Sequence, residues 1–288
     1  MKKEKKKKSR GASAVWTIVL IAAIACFAYG AFHLIQYGLR TLHNKTEYND
    51  LANQIESSDV NSDMTPEEQH EAMMKKYGKL YEQNHDFIGW LKVDDTIINY
   101  PVMYTPDDPQ KYLYMSFDQV KDGSGCLFVD GRSTLTMDDV SFDLIIYGHR
   151  MKNNTMFGHL EYFQDADFVA NHKYILFDTL YKPGTYEIFA TYLSQIYDDN
   201  DTEHFKYYDF IDCDTQEQLD EYLNFVRSSA DYLDESCLPD LDDEVITLST
   251  CNYHVTNGRL VVAARRINED PGFNQADYGE ITVDESEQ

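Results

Sequence analysis

Hydrophobic and polar positions divide the 288-residue chain into three textures. From Val15 to Ile35 no charged residue appears, and about 20 apolar residues in a helix span about 30 Å, the thickness of a bilayer's hydrocarbon core. From Gly38 to Asp63 the chain is mostly polar, with Leu39, Leu42, Tyr48, Leu51 and Ile55 at loosely helical spacing, as in a stalk. Beyond Phe87, short runs rich in Ile, Val, Tyr and Phe are broken by Gly, Pro, Asn and Asp, as in Thr96-Ile97-Ile98-Asn99-Tyr100-Pro101-Val102. Repeated short strands with turn signals predict a mainly β domain, a sandwich or a barrel.

One helix precedes that texture and another interrupts it. Thr65-Pro66-Glu67-Glu68 combines an N-cap threonine, a first-turn proline and a glutamate that can reach back to the cap, so a helix is expected from there to about Asn84. Leu219, Tyr222, Leu223, Val226, Ala230 and Leu233 recur at three- and four-residue spacing and predict an amphipathic helix between strands, over about 215 to 234. The strand candidates besides 96–102 are 125–129, 142–147, 173–180, 185–195, 244–250 and 259–267. The expected organisation is a basic tail (1–14), a membrane helix (15–35), a stalk (36–64), one catalytic domain (65–267) and an acidic, poorly ordered tail (268–288).

The charges flanking the apolar run give it a direction. Seven of the 25 Lys and Arg residues fall within the first ten positions, and a basic flank stays cytoplasmic, which leaves the bulk of the chain outside. A cleaved signal peptide shares this order, and Ala23-Ile24-Ala25-Cys26 hints at a lipoprotein cleavage site. The run continues past Cys26 through Phe27, Tyr29, Phe32 and Ile35, longer than a signal's apolar region, so an uncleaved single-pass anchor is expected. The net charge of −25 argues against nucleic acid or an anionic membrane as a partner for the domain surface.

Five cysteines, at 26, 126, 213, 237 and 251, show no C-x-x-C spacing and leave at least one free for chemistry. Whether Cys213 and Cys237 pair stays open. Cys251 ends Thr247-Leu248-Ser249-Thr250-Cys251, at the tip of an apolar β-branched run, and Arg259 begins the next such run, Gly258-Arg259-Leu260-Val261-Val262. A thiol attacks an amide carbonyl near neutral pH, and a fixed guanidinium can hold the oxyanion that results. His149 in Tyr147-Gly148-His149 follows the run Leu144-Ile145-Ile146 and supplies the imidazole that protonates a leaving amine.

Taken singly, each has an ordinary reading: a buried cysteine, a hydrogen-bonded histidine, a salt-bridged arginine. Together they form a candidate catalytic set. Cys251 and His254 at C-x-x-H spacing lack a second pair, and Asp198-Asp199-Asn200-Asp201-Thr202-Glu203 lacks the glycine and distal glutamate of a calcium loop, so no metal is assigned. No G-x-S-x-G, phosphate loop or dinucleotide fingerprint is present, and no cofactor is expected.

The pattern resembles the sortases, membrane-anchored cysteine transpeptidases of Gram-positive bacteria, and among them class B. The resemblance rests on Asp86-Phe87-Ile88-Gly89-Trp90-Leu91, Ile98-Asn99-Tyr100-Pro101-Val102, Tyr147-Gly148-His149, Met156-Phe157, Thr247-Leu248-Ser249-Thr250-Cys251 and Gly258-Arg259-Leu260-Val261-Val262, with helices before the barrel and before the cysteine strand. It implies a closed eight-stranded barrel and a thioacyl enzyme formed by Cys251 on the threonine carbonyl of a C-terminal sorting motif, of N/S-P-x-T-x type. It further implies that His149 shuttles protons, that Arg259 holds substrate or oxyanion, and that the loop 197–215 shapes the motif groove, with Ser249 and Thr250 lining it. The implied partners are surface proteins bearing the motif and a peptidoglycan precursor or cell-wall peptide amine. Asn252 stands where some relatives carry an acidic residue. A purely hydrolytic cysteine peptidase and a catalytically silent surface-binding module are the alternatives; the papain-like C-G-S-C-W is absent.

Overall fold

A computed structural model describes residues 10–57, 60 and 64–267. The expected basic tail, apart from its last residues, and the whole acidic tail lie outside the described residues. The chain divides into two units, 1–49 and 50–288. The first consists of helix α1 (Arg10–Ala52), which runs on through part of the expected stalk and ends within the second unit. Its segment Val15–Ile35 is long and apolar enough to cross a membrane by length and composition.

In the second unit, α2 (Pro66–Gln83) starts as expected. The Thr65 hydroxyl accepts from the Glu68 backbone N–H at 3.3 Å, and the Glu68 carboxylate accepts from the Thr65 N–H at 2.8 Å, closing a capping box. Its inner face buries Met73, Lys76, Tyr77 and Leu80. Lys76 Nζ lies 2.7 Å from the buried Asp178 carboxylate, which also accepts from the Tyr77 hydroxyl at 2.9 Å. These donors, with the Gly184 N–H at 3.2 Å, satisfy a charge that would otherwise be costly to bury, and the two from α2 pin it to the barrel.

The strands are β1 (Phe87–Lys92), β2 (Asn99–Met103), β3 (Leu127–Val129), β4 (Asp143–Tyr147), β5 (Tyr174–Thr179), β6 (Thr185–Gln195), β7 (Ala230–Leu233), β8 (Val245–Cys251) and β9 (Gly258–Ile267). They pair in the order β5-β1-β2-β3-β4-β8-β9-β6, and β5 pairs again with β6 through Tyr174–Leu176, closing an eight-stranded barrel. Pairings β2–β3 and β4–β8 are parallel and the rest antiparallel. Closure removes the free edges of an open sheet.

α3 (Ala166–Asn171) follows a 3-10 segment, Phe157–Gln164, and α4 (Gln216–Ser229) lies between β6 and β7. α4 opens with a second capping box, Thr215 with Gln218, and ends earlier than the apolar spacing suggests. Ala230 turns extended and Ala230, Tyr232 and Leu233 pair with Tyr192, Thr191 and Ala190 of β6, so sheet pairing beside a bulge overrides the helical period. Likewise the run beginning at Thr96 joins the sheet only at Asn99, after a turn in which Asp95 takes φ 56°.

Leu219, Tyr222, Leu223 and Val226 of α4 cluster with Phe189, Tyr192, Val245, Val261 and Ala263. Because side chains alternate along a strand, the face of β8 bearing Val245 also bears Thr247, Ser249 and Cys251, and the matching face of β9 bears Arg259, Val261 and Ala263. The α4 cluster thus backs the strand face that ends in the candidate site. All five cysteines are free, so Cys213 and Cys237 are not paired.

Candidate active site

Cys251 and Arg259 are direct partners at the end of the antiparallel pair β8–β9. Directly opposed residues share a face, which brings the thiol and the guanidinium stem together. The hairpin between them is tight: Asn252 N–H donates to Gly258 O at 2.9 Å, and Gly258 N–H to Val255 O at 3.1 Å. A Cβ at Gly258 would fall 2.4 Å from Asn252 O, so only glycine allows this approach.

His149 reaches the same level from the other side of β8. β4 runs parallel to β8 with Tyr147 beside Ser249, so His149, two residues on, follows β4 as Cys251 follows Ser249. The step through Gly148 is clamped: its N–H donates to Ser249 O at 3.2 Å and its carbonyl accepts from the Thr250 hydroxyl at 2.7 Å. A Cβ there would fall 2.4 Å from Leu127 and 2.6 Å from Phe157, which accounts for glycine before the histidine.

The imidazole is oriented by backbone. His149 Nε2 lies 2.7 Å from the Leu113 carbonyl oxygen. A carbonyl only accepts, so Nε2 carries the proton and Nδ1 is the nitrogen left to gain or lose one. Leu113 ends a 3-10 turn, Lys111–Leu113, whose Lys111 and Tyr112 side chains both bond Asp86, at 2.5 and 2.8 Å, while Asn84 donates to the Tyr112 hydroxyl at 2.8 Å. The end of α2 therefore fixes the carbonyl that fixes the histidine.

Arg259 does not behave as an ordinary surface cation in an acidic chain. Its Nη1 donates to the Asn257 and Gly258 carbonyls, at 3.2 and 3.0 Å, and no carboxylate pairs with it among the described residues. A guanidinium held by neutral carbonyls keeps its charge uncompensated and available to an anion.

Ser249 and Thr250 are both buried. Thr250 holds Gly148, and Ser249 Oγ lies 2.8 Å from the hydroxyl of buried Tyr207. Tyr207 was not among the residues singled out from sequence; only its position within the loop 197–215 hinted at it. Burial pushes its phenol well above the usual tyrosine range, while the Ser249 bond and the Arg259 charge pull the other way. Its 3-10 turn, Tyr207–Asp209, is tied to the β3–β4 loop by Arg132, which bonds Asp130 at 2.7 Å, Asp209 at 2.8 Å and the Tyr208 carbonyl at 2.5 Å.

A thiol, an imidazole and a guanidinium are thus brought to one end of a closed barrel. The sortase-domain family model matches residues 91–267. The chain is 28% identical over 253 residues to sortase B of Staphylococcus aureus, covering 87% of this chain and 96% of the relative. It is 30% identical over 192 residues to sortase B of Listeria monocytogenes, covering 66% and 73%. The crystal structure of B. anthracis sortase B superposes with a TM-score of 0.64 at 25% identity, covering 80% of this chain and 99% of that one. The chain belongs to the sortase family, on its class B branch. Its activity is that of a cysteine transpeptidase.

Proposed function

We propose that Cys251 is the nucleophile, and that it cleaves a C-terminal sorting motif of N/S-P-x-T-x type after threonine and transfers the acyl group to a cell-wall peptide amine. The observation that carries this reading is the register pairing of Cys251 with Arg259, which no carboxylate pairs among the described residues, with His149 at the same level just past the end of the neighbouring strand. The thiol passes its proton to His149 Nδ1 as the sulfur adds to the threonine carbonyl, Arg259 receives the developing oxyanion, and Nδ1 then gives that proton to the departing amine as the C–N bond breaks. The thioacyl enzyme then meets the incoming amine, and His149 takes back a proton. Tyr207 and Ser249 support the groove from behind rather than projecting into it, since both are buried.

The apolar segment Val15–Ile35 supports membrane association. With the basic residues ahead of it, it supports a single-pass anchor, N-terminus in the cytoplasm and barrel outside. The test incubates the full-length protein in detergent with peptides carrying N-P-x-T-x, S-P-x-T-G or L-P-x-T-G, with and without a glycyl or diaminopimelate-type amine. Cleavage after threonine with an amide product on adding the amine is expected. Hydrolysis alone with every amine would support a peptidase instead, and a Cys251 inert to alkylation would support a silent binding module.

A further inference from the structure

Five large apolar side chains are exposed in the second unit among the described residues, and three of them, Tyr114, Tyr253 and Val255, flank the candidate site. Tyr114 is 59% exposed, and its ring lies 5.5 Å from that of His149 at an interplanar angle of 38°. Tyr253, on the β8–β9 hairpin, is 76% exposed, and the Arg150 guanidinium carbon lies 5.3 Å from its ring. Arg150 is itself held by Glu161 at 2.5 Å. Glu161 fixes Arg150, and Arg150, the residue after His149, props one face of Tyr253, whose ring is presented to solvent. An exposed aromatic held in position this way has the form of a binding element rather than a stray apolar residue.

The order of the strands says which part of the substrate such an element serves. Cys251 lies on β8 and Arg259 on β9 with β6 beyond it, while His149 follows β4 on the other side of β8, with the Tyr114 ring against it and Arg150, next in sequence, against Tyr253. A proton-transfer group must come within hydrogen-bond reach of the nitrogen it serves. The leaving amine and the incoming amine therefore both pass on the His149 side, while the acyl portion lies toward Arg259.

We propose that Tyr114 and Tyr253, with Arg150 as the positioning residue behind Tyr253, form the subsite for the amine component, a primary amine on an unbranched peptidyl stem. This rests on the catalytic roles given above. In water at neutral pH the acceptor arrives as an ammonium, to which aromatic faces are attractive, and its methylene stem lies against the rings. The ammonium sheds one proton to solvent. Its nitrogen forms the C–N bond as the C–S bond breaks, the electron pair returns to the Cys251 sulfur, and a second N–H proton passes to His149 Nδ1.

The test measures partition of the thioacyl enzyme of the full-length protein between amide and acid products, by mass spectrometry, across a concentration series of glycylglycine amide or of a diaminopimelyl peptide. Both products come from the same intermediate, so their ratio is independent of how fast it forms. The acceptor concentration at which the two are equal is expected to rise about tenfold in Tyr253→Ala and in Tyr114→Ala, to stay near the original value in Tyr253→Phe, and to rise by a smaller factor in Arg150→Met. Truncating side chains this exposed spares the core, and the thermal midpoint of each variant checks that. Unchanged partition in both alanine variants, or a thioacyl enzyme that no amine resolves, would overturn the subsite. Failure of the unmodified protein to form any thioacyl enzyme would instead overturn the catalytic reading beneath it.

Discussion

The hydroxyl of Tyr207 lies 2.8 Å from that of Ser249, buried on the strand face that ends in Cys251. Burial holds the phenol above the usual tyrosine range, with the Ser249 bond and the Arg259 charge opposing that shift. A loop residue remote in sequence from β8 is thereby locked to that strand two residues before Cys251.

Tyr207→Phe removes one buried hydroxyl and leaves Ser249 without its partner. A loss of about 1–2 kcal/mol in stability is expected, the range for orphaning a buried polar group. Steady-state kinetics should give a lower kcat/KM, because the loop is no longer tied to β8. Unaltered unfolding and turnover would mean that the bond does not matter to either.

Arg259 tests geometry against charge. Arg259→Lys keeps the positive charge but loses the planar fork. If the guanidinium holds the oxyanion, kcat should fall by about a hundredfold, the scale of removing one oxyanion donor, and Arg259→Met should fall at least as far. A lysine variant with full activity would reduce the role of Arg259 to general electrostatics.

Asp143 gives the barrel a pH dependence of its own. Burial pushes its carboxyl up to about 7, with the Thr247 hydroxyl, 2.8 Å away, opposing that shift. A carboxyl whose folded pKa lies above its unfolded value takes up a proton on folding between the two. The stability that Asp143 contributes is therefore complete below pH ~4 and is lost as pH rises to ~7, by up to about 1.4 kcal/mol per pH unit. Asp143→Asn mimics the protonated form and should lack this slope. Denaturant midpoints measured from pH 4 to 8 check this, the expected sign being a variant that gains on the unmodified protein as pH rises.

Lys76 and Asp178 form the buried ion pair that fastens α2 to β5. Lys76→Met leaves the buried carboxylate without its counter-charge, with neutral donors such as the Tyr77 hydroxyl and the Gly184 N–H still on it, and should cost about 3–5 kcal/mol, the usual penalty for breaking a buried pair from one side. Chemical denaturation reads this directly. Since the end of α2 carries Asn84, and Asn84 bonds Tyr112 beside Leu113, activity should fall with it.

The parts of this structure carried by short-range pattern were legible in the sequence. Thr65-Pro66-Glu67-Glu68 marks the start of α2, because a capping box is local chemistry, and Cys251 and Arg259 announce themselves at adjacent strand ends. What could not be read depends on partners distant along the chain. Closure of the barrel was implied by the family resemblance and not by alternation, because it rests on Tyr174–Leu176 meeting Thr185–Glu187 while β5 also pairs with β1. Ala230 and Leu233 sit in phase with α4, and only the bulged edge of β6 draws them into β7. The Leu113 carbonyl that selects the His149 tautomer is a backbone atom, invisible to any motif.

The central claim is that Cys251 carries the acyl group. The most direct measurement is tandem mass spectrometry of the full-length protein quenched during turnover of a sorting-motif peptide, without an added amine. A thioester-linked peptide ending in threonine on Cys251, absent in Cys251→Ala, is the predicted result. An adduct on Cys213 or another residue, or turnover that survives in Cys251→Ala, would contradict it.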